Sequence, residues 1–153
     1  APLDDELKTA KFMDTGTPTS FSPRTTTRGM SKYFEHLGWT VQSSVADKKM
    51  TPQDYDSFKK FVLNNLQRNV PIMVENVELG GHWRVIIGYD DMGDKESGND
   101  VLIMADPYDT ADHLQDGYSI VPAKRFFYMW FDAHLFKKGE QDKQWLTAEP
   151  PKT

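Results

Sequence analysis

The chain has 153 residues, a formal net charge of −5 and an apolar fraction of 38%. A chain of this length forms one domain and can bury a hydrophobic core. It has no apolar run near the roughly 20 residues that a membrane-spanning helix requires, and no Lys/Arg cluster that offsets its acidity. We therefore expect neither a membrane span nor a nucleic-acid partner. The count of zero cysteines excludes disulfide bonds and thiolate metal sites.

Helix signals dominate the first half of the chain. Residues 4–13 begin with acidic side chains and carry apolar positions at helical spacing, which predicts a short helix. Residues 14–23 are rich in Gly, Pro and hydroxyl side chains and predict an irregular loop. A second helix is predicted over 25–38, where threonines offer an N-cap and a glycine follows the last apolar position. A third helix is predicted over 51–69. Thr51 is its predicted N-cap, because Pro52 suits the first helical position.

The second half of the chain has mainly strand signals. Short apolar runs bounded by turn residues predict four antiparallel strands, and the polar stretch 90–100 predicts an exposed hairpin loop. Residues 39–41 are compatible with a fifth short strand. A last helix is predicted to open at 122–125, and 140–153 are predicted to be a frayed polar tail. Helices followed by strands indicate an α+β fold, with one domain over 1–139. The four predicted strands are 70–75, 83–89, 101–105 and 118–121.

Two motifs place reactive side chains at strand ends. Residues 80–90 read GGHWRVIIGYD, so His82 opens an apolar strand and follows two glycines that permit close approach. Asp106 comes directly after the next apolar strand, VLIMA. A histidine and an acid at the ends of neighbouring strands are two of the three parts of a nucleophile–base–orienter triad. The third part should be a cysteine or a serine, but the chain has no cysteine and no Gly-x-Ser-x-Gly elbow.

Each of these residues also has a structural interpretation. A histidine at a strand end often has a purely structural role, and an Asp before Pro commonly starts a turn. The combination of His82, Asp106 and the flanking glycines favours an active-site origin. Trp83 is interpreted as part of the core or as the wall of a cleft.

An acidic loop follows Asp106. Asp109, Asp112 and Asp116 recur at spacings that do not match a calcium-binding EF-hand loop, and the glycine of that loop is missing at its position. His113 lies in the same loop, but a lone exposed histidine rarely binds a metal. We therefore expect a solvated turn and no metal site.

Three segments together resemble a known family. PIMV at 71–74, GHWRVIIGY at 81–89 and ADP at 105–107 are similar to the bacteriocin-processing-peptidase-like family of papain-like cysteine peptidases. The helix near Ala123 resembles the terminal aromatic helix of that family, and the resemblance covers roughly residues 5–136. It implies a papain-like α+β fold, in which helices pack on an antiparallel sheet, and an enzyme that hydrolyses peptide bonds without a cofactor.

The resemblance also implies roles for individual residues. His82 matches the catalytic histidine and Asp106 the acid that orients it, with Gly81 and Trp83 beside the bound substrate. That substrate would be a peptide or a protein. Relatives of this type are often bacterial, and secreted or associated with the cell envelope.

The resemblance breaks at the nucleophile. The family carries its cysteine in a Q…CGP stretch that opens the first core helix, upstream of the part that matches Asp4 onward, and this chain has no such stretch. We expect this chain to be the part of a cysteine peptidase downstream of the nucleophile, without hydrolytic activity of its own. One alternative is a catalytically dead peptide-binding module on the same fold, and another is a transferase or amidase. Without the first helix an apolar face would be exposed, which a partner chain or an N-terminal segment is expected to cover.

Overall fold

The structure is a computed structural model, and it describes residues 2–13, 25–93, 95–96, 98–109, 113–134 and 136–152. The helices are α1 (Pro2–Phe12), α2 (Thr27–His36), α3 (Tyr55–Gln67) and α4 (Ala123–Tyr128). The strands are β1 (Thr40–Ser43), β2 (Ile72–Asn76), β3 (His82–Asp90), β4 (Val101–Ala105), β5 (Tyr118–Pro122) and β6 (Gln144–Glu149). Short 3₁₀ turns occupy Lys48–Met50 and Glu78–Gly80.

The described strands form one antiparallel sheet in the order β1-β6-β2-β3-β4-β5. The α+β class and the antiparallel sheet are therefore confirmed. β4 has the bounds that the sequence predicts, and the connection between β3 and β4 covers residues 91–100, so the predicted loop over 90–100 begins one residue too early. None of the helices described has the length and apolar character to cross a membrane.

The C-terminal stretch contains a strand, so the prediction of a frayed polar tail over 140–153 is wrong there. β6 lies between β1 and β2 and is part of the same sheet. Side chains alternate along a strand, so Gln144 faces α2, whereas Trp145 packs on Phe61 of α3 with 4.9 Å between ring centroids. The sheet therefore continues past residue 139, where the predicted domain ended.

The third helix begins later than predicted. Its N-cap is Asp54 and not the threonine at position 51, and Pro52 lies before the helix. Asp54 Oδ1 accepts the backbone N–H of Ser57 at 2.7 Å, and the Ser57 hydroxyl reaches back to complete a capping box. The predicted threonine cap of α2 is Thr26, whose side chain accepts a backbone N–H of the first turn.

One face of the sheet carries the hydrophobic core beneath α3 and α4. Phe58 of α3 lies 5.3 Å from Phe127 and 5.5 Å from Trp130 between ring centroids. α4 ends at Tyr128, earlier than the apolar pattern suggests, but the aromatic run still supplies the core. Each such aromatic side chain contributes roughly 1.5–3 kcal/mol by burial. The core also includes Val62, Ile72, Val74, Ile86, Leu102, Met104, Phe126 and Trp145.

The opposite face of the sheet is covered by α2 over β1 and β6. Cross-strand partners share a face, which places Val85, Ala105 and Tyr118 side by side across β3, β4 and β5. Tyr118 is 50% exposed and Ile120 is 66% exposed, so apolar side chains on this part of the sheet contact solvent. We call this surface the open face. It is formed by Met73, Trp83, Val85, Ile103, Ala105, Tyr118 and Ile120.

Candidate active site

β3 and β4 bring their reactive ends to one edge of the sheet. The strands pair antiparallel with Val85 opposite Ala105, so the start of β3 lies beside the end of β4. The chain enters β3 through Gly80 and Gly81, whose φ angles of +81° and +104° lie in the left-handed region that glycine adopts without strain. Strand pairing and the glycine turn together determine the position of His82.

His82 and Asp106 form a hydrogen bond at this edge. His82 Nε2 lies 2.6 Å from Asp106 Oδ1, and only 5% and 8% of the two side chains are exposed. Because the carboxylate occupies Nε2, the imidazole has Nδ1 left for exchanging a proton with a nucleophile. The predicted contact is present, and it has the arrangement of a base and its orienting acid.

Asp106 accepts hydrogen bonds from other donors besides the imidazole. Its Oδ1 also accepts the backbone N–H of Tyr108 at 3.0 Å and of Asp109 at 3.4 Å, and its Oδ2 accepts the Ser119 hydroxyl at 3.4 Å. Burial by itself raises the pKa of Asp106, but the hydrogen bonds from His82 and the Tyr108 N–H outweigh it and lower the net pKa. The acid is therefore ionised at neutral pH, as an acceptor for the imidazole N–H must be.

The sequence analysis missed two neighbours of this pair. Tyr108 is 62% exposed, and its ring centroid lies 4.7 Å from that of His82. Ser119 is 1% exposed and reaches Asp106 from the adjacent strand β5. An aromatic residue two positions after the candidate acid was the only available signal for Tyr108. Ser119 had none, because its proximity depends on the pairing of β4 with β5.

The two residues predicted to lie beside the substrate are close to the pair in the chain. Gly81 directly precedes His82 and is half-buried. Trp83 is also half-buried, and its Nε1 donates to the carbonyl of Thr25 at 2.9 Å. Trp83 lines an apolar groove of about 480 Å³ on the open face, and Asp106 borders the same groove. The other lining residues are Met30, Met73, Arg84, Val85, Ala105, Pro107 and Gly117.

The acidic loop after Asp106 has a structural role in the part that the structure describes. Asp109 accepts the backbone N–H of Gly117 at 2.6 Å, and Asp116 accepts that of Tyr118, the first residue of β5, at 3.0 Å. Asp112 lies outside the described residues, and His113 is exposed. Among the residues described, no three His, Asp or Glu side chains lie together as metal ligands.

A buried His–Asp pair at the edge of an antiparallel sheet, with one imidazole nitrogen left without the carboxylate, has the geometry that the base and the acid of a nucleophilic site require. A family model described as the Peptidase_C39 like family matches residues 2–132, and the chain belongs to that family. The predicted relationship to papain-like cysteine peptidases is thereby confirmed. Searches among curated proteins and among solved structures found no match.

Proposed function

We propose that this domain is the histidine and acid part of a papain-like cysteine peptidase, which hydrolyses peptide bonds when a cysteine from outside this chain reaches His82. The observation that carries the proposal is the buried hydrogen bond of 2.6 Å between His82 Nε2 and Asp106 Oδ1. Membership of the Peptidase_C39 like family supports the reaction class. The chain has no cysteine, so we expect no hydrolysis from it alone.

In the assembled site, the cysteine thiol passes its proton to Nδ1 of His82, and the thiolate attacks the peptide carbonyl carbon. The imidazolium then gives this proton to the leaving amine, which departs and leaves a thioester. The same imidazole deprotonates a water molecule, which hydrolyses the thioester and regenerates the thiol. Asp106 holds the Nε2–H throughout and stabilises the imidazolium charge.

The open face is where we place the element that carries the nucleophile. Its groove is lined by Trp83 and is bordered by Asp106. Burying apolar surface contributes about 25 cal/mol per Å². An amphipathic helix that covered Ile120 and Tyr118, which are 66% and 50% exposed, would therefore bind favourably. The proposal requires that a cysteine at the end of such a helix reach Nδ1 of His82 at the start of β3.

Hydrolysis of fluorescein-labelled casein tests the proposal. The chain as it stands should release no fluorescent peptides, whereas a longer product of the same gene with an upstream cysteine segment should release them. In that longer protein, His82→Ala should lower kcat by about 10²–10⁴-fold, the usual contribution of a positioned general base. Asp106→Asn should also lower kcat. His113→Ala changes an exposed histidine outside the pair and is the matched control, with an unchanged rate.

The groove of about 480 Å³ also supports a second candidate, a peptide-binding module without catalysis. This candidate is favoured if the gene encodes no upstream cysteine, or if the longer protein binds labelled peptides but does not cleave them. Fluorescence anisotropy with fluorescein-labelled casein peptides measures such binding. In a binding module, Trp83→Ala should weaken binding, whereas His82→Ala should leave it nearly unchanged.

A further inference from the structure

We propose that the outer edge of β5 pairs with the same edge of a second copy of this chain, related to the first by a twofold axis through Ile120. β5 is an end strand of the described sheet, so only one of its edges is paired, with β4. An unpaired strand edge is a template for another strand. The inference goes beyond the proposed function, because it uses backbone groups of β5 and not the His82–Asp106 pair.

The hydrogen bonds of β5 show which of its backbone groups face outward. At one end the N–H of Asp106 donates to the Gly117 carbonyl at 2.9 Å, and at the other the N–H of Ala123 donates to the Asp100 carbonyl at 2.9 Å. In an antiparallel ladder, residues bonded to the partner strand alternate with residues whose N–H and C=O point away from it. The register of β4 and β5 is unbroken between these two bonds. The residues of β5 that point away are Tyr118, Ile120 and Pro122.

Ile120 carries the free hydrogen-bonding groups at the centre of this edge. Proline has no N–H, so Pro122 offers no donor. The N–H of Tyr118 donates to Asp116 Oδ1 at 3.0 Å. The N–H of Ile120 has no acceptor among the described residues, so a peptide strand laid along β5 would meet a single free donor. A twofold axis through Ile120 instead pairs the N–H of each copy with the Ile120 carbonyl of the other, so both groups are satisfied. The occupant that this edge fits is therefore a second copy.

The side chains beside the axis also fit an identical partner. The arrangement places Ile120 opposite Ile120 of the second copy and Tyr118 opposite its Pro122. Ile120 is 66% exposed and Tyr118 is 50% exposed in the single chain, so their contact removes apolar surface from water. The antiparallel direction also brings exposed Asp116, before β5, towards exposed Lys124 at the start of α4 in the second copy. This attraction offsets part of the repulsion between two chains of net charge −5.

Sedimentation velocity of the chain as it stands tests the proposal. One five-residue strand from each copy makes a small contact, and small interfaces hold weak complexes. The wild type should therefore pass from monomer to dimer between about 10 µM and 1 mM. Ile120→Pro removes the free N–H and is tolerated where an edge residue faces outward. It should raise the dissociation constant about ten- to a hundred-fold, the effect of losing two backbone hydrogen bonds. Leu79→Lys should leave the dissociation constant unchanged, because Leu79 is 67% exposed but lies in the turn before β3.

Hydrogen–deuterium exchange locates the contact, since the Ile120 amide should exchange more slowly at the upper end of this concentration range than at the lower end. A wild type that stays monomeric throughout the range would overturn the proposal. Equal association of the wild type and Ile120→Pro would also overturn it, because the copies would then meet through another surface. If Ile120→Pro does not fold, Ile120→Lys replaces it, with Leu79→Lys as its matched control. Ile120→Lys sets two like charges opposite each other at the axis and should weaken association, and undiminished association of this variant contradicts the pairing.

Discussion

Glu75 is a buried acid outside the proposed chemistry, and it predicts a pH dependence of stability. Glu75 is 1% exposed, and the Asp132 carboxyl beside it is 0% exposed. Within the described part of the chain, neither oxygen of Glu75 accepts a hydrogen bond from an N–H or hydroxyl donor. Burial, together with the neighbouring Asp132, raises the pKa of Glu75 to about 9. Its cross-strand neighbours Trp83 and Gln144 carry no charge that would lower it.

The sign of the effect follows from comparison with the unfolded chain, in which the pKa of this carboxyl is 4.5. Below that pH, Glu75 is protonated in both states. Between pH 4.5 and about 9 only the unfolded chain releases the proton, so the free energy of unfolding falls by about 1.4 kcal/mol per pH unit. From pH 5 to 7 the loss is about 3 kcal/mol, a large part of the roughly 5–15 kcal/mol that stabilises a domain. Asp100 and Asp106, whose pKa values are lowered from 3.8, affect stability below this range.

Glu75→Gln removes the titration and keeps the shape of the side chain. At pH 7 its free energy of unfolding should exceed that of the wild type by about 3 kcal/mol, and the two should converge near pH 4.5. Urea unfolding followed by tryptophan fluorescence, at half-unit steps from pH 4.5 to 8, measures both effects. Glu149→Gln is the matched control on β6. Its side chain is 38% exposed and pairs with Arg68, so its effect should be below about 1 kcal/mol.

Two outcomes contradict this reasoning. A wild-type free energy of unfolding that stays constant from pH 5 to 8 would mean that Glu75 keeps an ordinary pKa despite its burial. An equal decline in the wild type and in Glu75→Gln would assign the pH dependence to another group. If Glu149→Gln leaves the free energy of unfolding nearly unchanged, either outcome can be assigned to Glu75. Replacing a Glu by Gln in this sheet would then have no large effect on stability by itself.

Two further predictions concern the sheet. Asp100, whose side chain is 0% exposed, accepts Lys59 Nζ at 2.9 Å and the Tyr89 hydroxyl, so Asp100→Asn should lower the free energy of unfolding by about 2 kcal/mol at pH 7. Burial raises the pKa of Asp100, but the hydrogen bonds from Tyr89 and Lys59 lower it overall, so the difference in urea unfolding should shrink as the pH falls below 3.8. A chain that ends at residue 143 lacks β6 and should lose cooperative urea unfolding. A chain that ends at residue 150 keeps the six strands that the structure describes and should unfold like the wild type.

Elements with a complete local pattern could be predicted from the sequence. β4 is an uninterrupted apolar run between turn residues, and its observed bounds match the prediction. β6 was missed because its buried positions include the polar residues Gln144 and Thr147, which leaves neither an apolar run nor a clean alternation. The start of α3 was misplaced because two cap signals lie within four residues. The carboxylate of Asp54 forms the cap, and the signal of Pro52 is not used.

The candidate site also contains contacts that the sequence predicts and contacts that it does not. His82 and Asp106 could be predicted to meet, because the start of one antiparallel strand lies beside the end of its neighbour. The contacts of Tyr108 and Ser119 could not, because they depend on the turn after β4 and on the β4–β5 register. The catalytic role of the pair stays a prediction that hydrolysis by the longer protein would test.

The geometry of the pair arises within the sheet itself. Every described donor to the Asp106 carboxylate lies on β3, on β5 or in the turn after β4. If the pair acts as we propose, its two side chains are preorganised before a nucleophile arrives, and the element that carries the nucleophile would have only to bring a thiol to Nδ1 of His82. If that element held the pair together instead, the two side chains would lie apart in a chain without cysteine. Their separation of 2.6 Å in such a chain is the reason to expect that adding the upstream cysteine segment creates hydrolytic activity without rearranging the pair.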